Sequence, residues 1–111
     1  MALIRAISGG GSGGGGKSSG GTNITFESGN KISLDFEPSK ILLTGYVGNV
    51  GVVSLYYDKD ANPNEYKQSV SGGAWNDYNV GSGAGFRYVD GTGFALNTSY
   101  NWTQISYVAC E

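Results

Sequence analysis

Oxygen-bearing side chains stand at alternate positions along segment 58–64, as Asp58, Asp60, Asn62 and Asn64. Hard oxygen donors converging from a loop are what a calcium ion needs. A helix-loop-helix calcium loop, however, requires glycine where Pro63 stands and an acidic ligand where Ser69 stands. Asp58, Asp60 and Asn62 are therefore the candidate metal set. A solvated loop closing a hairpin accounts for the same residues, since Asp, Asn and Pro are turn formers. No cofactor is expected.

Paired carboxylates for glycoside hydrolysis could come from Asp58, Asp60, Glu65, Asp77 or Asp90. That mechanism depends on a separation in space which spacing along the chain does not give. None of these residues lies in an apolar run, where burial would raise its pKa toward that of a general acid. The chain has no histidine, which removes the imidazole base, the His-dependent nucleophiles and the usual His-type zinc site. Cys110, the one cysteine, can form no internal disulfide and is no zinc framework; it reads as a small inert hydrophobe in a core or an interface. Composition thus points away from an enzyme. Seven basic residues against nine acidic ones, with no basic run, also argue against a nucleic-acid partner.

The aromatics remain. Two Trp, eight Tyr and four Phe exceed what a small core easily holds. Tyr56 and Tyr57, adjacent on a strand, must point to opposite faces. Trp75 and Tyr78 lie in a Gly/Asn/Ser-rich segment where no core period is visible. They are expected either to cap the end of the fold or to form a platform on which a sugar ring or a protein chain stacks. Tyr57 and Tyr66 complete the set of candidate ligand- or partner-binding aromatics, and Tyr46 is a further interface candidate.

The elements that must position these residues follow from a period of two. Ile24 and Phe26, then Ile32, Leu34 and Phe36, alternate with polar residues about Ser28-Gly29-Asn30, which predicts a hairpin. Runs 40–47 and 50–58 are apolar on both faces and read as central strands covered on both sides. Segment 65–70 predicts an edge strand. Asp90-Gly91-Thr92-Gly93 predicts a hairpin turn between 86–89 and 94–97. Segment 102–110 carries the longest strand signal, but Ile105, Tyr107 and Ala109 fall on one side and Trp102, Val108 and Cys110 on the other. That strand is either buried on both faces or shifted by a bulge. The expectation is an all-β fold, a single β-sandwich or jelly-roll-like domain of about eight strands covering 22–111.

Ahead of it, nine of the 20 glycines fall between Gly9 and Gly21. Residues 8–21 have no apolar side chain and predict a linker with a reach of about 20 Å. The lysine that follows the glycine run, Lys17-Ser18, lacks the strand-to-helix context of a phosphate loop. Residues 1–7 are an apolar head whose Leu3, Ile4 and Ile7 predict an anchoring arm that adds to a neighbouring subunit or scaffold. The head is too short for a signal peptide, and nothing approaches a transmembrane length, so membrane insertion is not expected.

A short apolar N-terminus, a glycine run and a compact Tyr/Asn/Gly-rich β domain together resemble small bacteriophage virion proteins of the tail-tip and tail-fibre accessory kind. The ending is similar to their receptor-binding domains: Gly93-Phe94-Ala95-Leu96, an Asn/Ser-rich corner, then Trp102-Thr103-Gln104-Ile105-Ser106-Tyr107-Val108-Ala109. The resemblance implies a homo-oligomer, commonly a trimer, made in the host cytoplasm and built into the virion. Its arm would contact other virion proteins, and its β domain would face a host-surface glycan or protein. The competing expectations are a carbohydrate-binding module stacking ligands on Trp75 and Tyr78, a capsid decoration or head-fibre protein, and, last, a small lyase or hydrolase using Asp77 or Asp90.

Overall fold

The structure, a computed structural model, describes residues 16–111. The arm residues Leu3, Ile4 and Ile7 and most of the glycine run lie outside the described residues. Nine strands are formed among the described residues: β1 (Ser18–Ile24), β2 (Lys31–Ser33), β3 (Lys40–Val47), β4 (Gly51–Asp58), β5 (Glu65–Val70), β6 (Asn76–Asn79), β7 (Phe86–Asp90), β8 (Gly93–Leu96) and β9 (Trp102–Cys110). They make two antiparallel sheets, one six-stranded in the order β1-β9-β3-β4-β5-β6 and one three-stranded in the order β2-β8-β7. There is no helix among these residues, hence none long and apolar enough to cross a membrane.

The inner faces of both sheets share one core. Ile41, Leu43, Val47, Val53 and Leu55 from the large sheet meet Ile32, Phe86, Phe94 and Leu96 from the small one, all buried. Aromatic rings run through it edge to face, from Tyr66 to Phe86 at 5.4 Å, Phe86 to Phe94 at 5.6 Å and Phe94 to Tyr107 at 5.6 Å. Such contacts add about 0.5–1.5 kcal/mol each beyond the area they bury.

Three expectations need correction. Ser18 to Gly21, placed in the linker by composition, are the first residues of β1, and Ser18 is paired with Cys110. β9 supplies the ladder that the glycines' weak strand propensity does not, and Ser19 Oγ and the Tyr107 hydroxyl meet at 2.8 Å. The glycines also fit the close approach: a Cβ on Gly20 would stand 2.9 Å from the Tyr107 carbonyl oxygen.

The hairpin expected about Ser28-Gly29-Asn30 has its turn but not its arms. Gly29 and Asn30 take φ of 81° and 53°, and Glu27 and Lys31 form a single bridge. Beyond it the chain divides, β1 pairing with β9 in one sheet and β2 with β8 in the other. The alternating apolar residues still reach the core, Phe36 as a buried residue and Ile24, Phe26 and Leu34 as partly buried ones.

Strands β3 and β4 are not covered on both sides. Ile41, Leu43 and Val47 point inward and are buried, as are Tyr57, Leu55 and Val53, which pair with Ile41, Leu43 and Gly45. The alternate residues Leu42, Thr44 and Tyr46, paired with Tyr56, Ser54 and Val52, form an outer face that is half-buried to exposed.

The ambiguity of the last strand resolves as a bulge. The register of β9 against β3 shifts between Thr44 and Tyr46, and Gln104 there has φ 55°. The extra residue brings Trp102 and Ile105 to the same inner side, while Val108 and Cys110 fall on the outer one, where they pack with Leu42 and Tyr56. Gly45 lies opposite the bulge because a Cβ there would stand 2.8 Å from the Trp102 ring.

Segment 81–85 (GSGAG), the least periodic stretch of the body, is a strap over buried rings. The Tyr66 hydroxyl donates to the Ser82 carbonyl at 2.6 Å and accepts the Gly85 N–H at 3.1 Å. The Trp102 indole donates to the Ala84 carbonyl at 2.9 Å. A Cβ on Gly85 would come 2.7 Å from Tyr66 Cζ, so this approach needs glycine.

Candidate functional site

The outer face of the six-stranded sheet carries the concave features. Cross-strand pairing sets its composition directly, since residues opposite one another share a face. Leu42 on β3 faces Tyr56 on β4, Tyr56 faces Lys67 on β5, and Lys67 faces Asp77 on β6. Trp75, just ahead of β6, stands 49% exposed and closes an apolar groove of about 390 Å³ with Leu42, Tyr56 and Lys67. The groove thus runs across the strands rather than along them. Its floor continues into the small cluster of Val108 and Cys110.

A second cleft of about 280 Å³ with a mixed lining adjoins the groove and shares Tyr56 and Lys67 with it. Asp58, Asn62, Glu65 and Asp77 line this cleft together with Ala61 and an edge of Tyr66. The Lys67 ammonium donates to Asp77 Oδ1 at 2.7 Å, an exposed pair that contributes little to stability. Both volumes lie near the small end of the range for ligand pockets.

The candidate metal residues are held by the loop itself. Asp58 Oδ1 accepts the backbone N–H groups of Asp60 at 3.1 Å and Ala61 at 3.4 Å, and Asn62 Oδ1 accepts that of Asn64 at 2.9 Å. Asp58 and Asp60 converge on the Lys40 ammonium, at 3.6 and 3.2 Å. Burial pulls the Lys40 pKa down, but the hydrogen bond to Asp60 and the charges of Asp58 and Asp60 outweigh it and leave the pKa above its usual value. The Tyr56 hydroxyl donates to Asp58 Oδ2 at 3.4 Å; burial, followed by the Asp58 charge, raises the pKa of that phenol. Among the described residues no group of three or more Asp, Glu or Cys side chains is gathered as for a metal ion.

The candidate aromatics separate. Only Trp75 lies on the open groove. Tyr57 and Tyr66 are each 2% exposed, and rings buried to that degree offer no platform. Tyr57 donates its hydroxyl to the Pro63 carbonyl, and Tyr66 is held by the strap. Tyr78, expected beside Trp75, points to the inner side and stacks on Tyr66 at 5.7 Å. Tyr46 is 44% exposed, opposite Val52 at 49%, on the same outer face. Asp90, a candidate acid, is engaged in its turn by the Thr92 hydroxyl at 2.6 Å and the Thr92 N–H at 2.8 Å, which hold its carboxyl below the ordinary range.

Leu42, Tyr56 and Lys67 are site residues that sequence reasoning missed. The available signal was parity: once Val53 and Leu55 are taken as inward, Tyr57 follows them and Tyr56 must face out. Comparison with protein-family models, with characterised proteins and with solved structures finds no match.

Proposed function

We propose that this chain is a non-enzymatic structural protein of a bacteriophage-type virion. Its arm, residues 1–7, fixes it to the particle, and its β domain, read as a β-sandwich around the core shared by the two sheets, faces outward. The outward face meets a host surface or stabilises the assembly. A homo-oligomer, in the first instance a trimer, fits this role. The observation that carries the proposal is the outer sheet face, where Tyr46 and Val52 are exposed at one end and the Trp75 groove lies at the other. Exposed apolar groups at both ends of one sheet face, with Thr44 and Ser54 between them, support an interaction surface on a small domain. An enzyme would instead need acids or bases set against a reacting group, and near the groove Asp58 and Asp60 are paired with Lys40 and Asp77 with Lys67.

The test uses the full chain with Leu3, Ile4 and Ile7 all changed to Asp. The expected result is an unchanged melting temperature together with loss of the protein from purified particles. Normal incorporation of that variant would overturn the anchoring role. A monomeric mass for the wild-type chain in light scattering would overturn the homo-oligomer.

A further inference from the structure

We propose that the groove bounded by Leu42, Tyr56 and Trp75, with the carboxylate-bearing cleft beside it, is a binding site for an uncharged saccharide. The inference deepens the outward-facing half of the reading above and makes no use of the arm.

A sugar ring has one chemically mixed surface: faces of C–H groups that pack on an aromatic ring, and a rim of hydroxyls that each need a donor or an acceptor. Both adjoining depressions offer apolar surface, and the second adds the polar groups that the first lacks. The groove offers the half-exposed Trp75 indole, the Tyr56 ring, Leu42 and the aliphatic stem of Lys67. The cleft offers carboxylate oxygens from Asp58, Glu65 and Asp77, the Asn62 amide and the Lys67 ammonium. Because Tyr56 and Lys67 line both, a ligand stacked in the groove presents its rim to the cleft without leaving the sheet face.

Charge selects among ligand classes. The cleft is lined by three carboxylates and Lys67, which is paired with Asp77, and Lys40 stands behind Asp58. Phosphate, sulfate or a sugar acid would meet net negative charge there, whereas hydroxyls are served by acceptors of this kind. An apolar peptide would fill the groove but leave the carboxylates of the cleft facing carbon, at the cost of desolvating them. The groove is also supported from the side. Val108 and Cys110 pack against Leu42 and Tyr56, and Lys67 is tied to Asp77, so the floor is formed before any ligand arrives.

The test titrates the full chain with neutral hexasaccharides of glucose and of N-acetylglucosamine, and with one sulfated and one sialylated oligosaccharide for comparison, followed by calorimetry and by tryptophan fluorescence. The buried Trp102 serves as an internal reference. At least one neutral probe should bind. Trp75→Ala should weaken it by about thirty-fold, as removal of a central tryptophan does, and Trp75→Tyr should retain most of the affinity. Asp77→Asn should weaken binding less than Trp75→Ala, with an unchanged melting temperature. Three results would overturn the proposal: no binding by any neutral probe, binding that Trp75→Ala leaves intact, or preference for a sulfated or sialylated probe. So would a Trp75 already shielded from acrylamide in a free oligomer, which would make this face an interface between copies. Because the arm is intact throughout, failure here leaves particle incorporation untouched, and failure of the arm test leaves the saccharide test standing.

Discussion

Removing one oxygen from Tyr66 should test how the glycine strap is held. The Tyr66 hydroxyl makes two bonds of unequal consequence when lost. The Ser82 carbonyl, which accepts at 2.6 Å, belongs to an exposed residue and can turn to water. The Gly85 N–H, which donates at 3.1 Å, is buried and has the tyrosine oxygen as its acceptor. Tyr66→Phe keeps the ring, its stack on Tyr78 and its edge contact with Phe86, so the cost is polar. An ordinary net hydrogen bond contributes about 1 kcal/mol, and a buried donor left unsatisfied costs about 1–3 kcal/mol. The variant should therefore lose roughly 2–3 kcal/mol, seen in urea denaturation as a lower midpoint with unchanged slope. In a domain of this size that corresponds to a fall in melting temperature of about 10 °C or more. Tyr100→Phe, on the exposed surface, is the control and should change stability by less than about 0.5 kcal/mol. A Tyr66→Phe loss no larger than the control's would refute the claim that the hydroxyl pins the strap.

Burial raises the pKa of Tyr56, Tyr57 and Tyr66 in the folded chain. The unfolded chain therefore loses these phenolic protons first, and stability should be full below about pH 10 and fall as pH rises toward the folded values. Absorbance at 295 nm should show a late-titrating class of tyrosines, and Tyr66→Phe should flatten the alkaline decline of the unfolding midpoint. Cys110 is 1% exposed, and burial pushes its thiol pKa up; its reaction with Ellman's reagent should be slow in buffer and become fast only through the urea transition. Gln104 has φ 55° in the β9 bulge, so Gln104→Gly should be neutral or stabilise by up to about 1 kcal/mol in the same assay. Gly45→Ala, aimed at the Trp102 ring, should destabilise by about 1–3 kcal/mol through overpacking.

Where the chain's own pattern decides, the sequence was readable. The bounds of β3, β5 and β9 and the Asp90-Gly91-Thr92-Gly93 turn follow from apolar runs and from residues that accept unusual backbone conformations. Where a partner decides, it was not. Ser18 to Gly21 have no strand character of their own and become β1 because β9 offers a ladder. Residues 81–85 have no period because their role is to pass close over Tyr66 and Trp102, a demand for small size that composition alone reads as loop. The site was half legible for a similar reason. Trp75 is marked by an aromatic surplus without a core period, whereas that surplus does not separate Tyr57 from Tyr56, and in a strand one residue exchanges core for surface.

That exchange bears on what the outer face means. If the aromatics outside the core were only a surplus it could not hold, they should all be dressed for water in the same way, and they are not. Tyr88 lies under the Lys31 ammonium at 5.2 Å and the Arg87 guanidinium at 5.0 Å from its ring centre, and its hydroxyl accepts from Lys31 at 3.2 Å. Cations over a ring in this way both satisfy its negative face and shield it. On the six-stranded sheet the cations are directed elsewhere. Lys40 goes to Asp58 and Asp60, and Lys67 reaches past the groove to Asp77, so the Trp75 ring stays open. A chain with only seven cations has used two of them to cover one tyrosine and two to hold carboxylates around an open tryptophan. Redirecting Lys67 is then the economical way to close the site: Asp77→Ala removes its anchor while leaving the ammonium beside the groove. In that variant the Trp75 emission should shift, and acrylamide quenching should fall, as the lysine swings over the ring. Unchanged emission and quenching would show that the Lys67–Asp77 pair has no part in keeping the groove open.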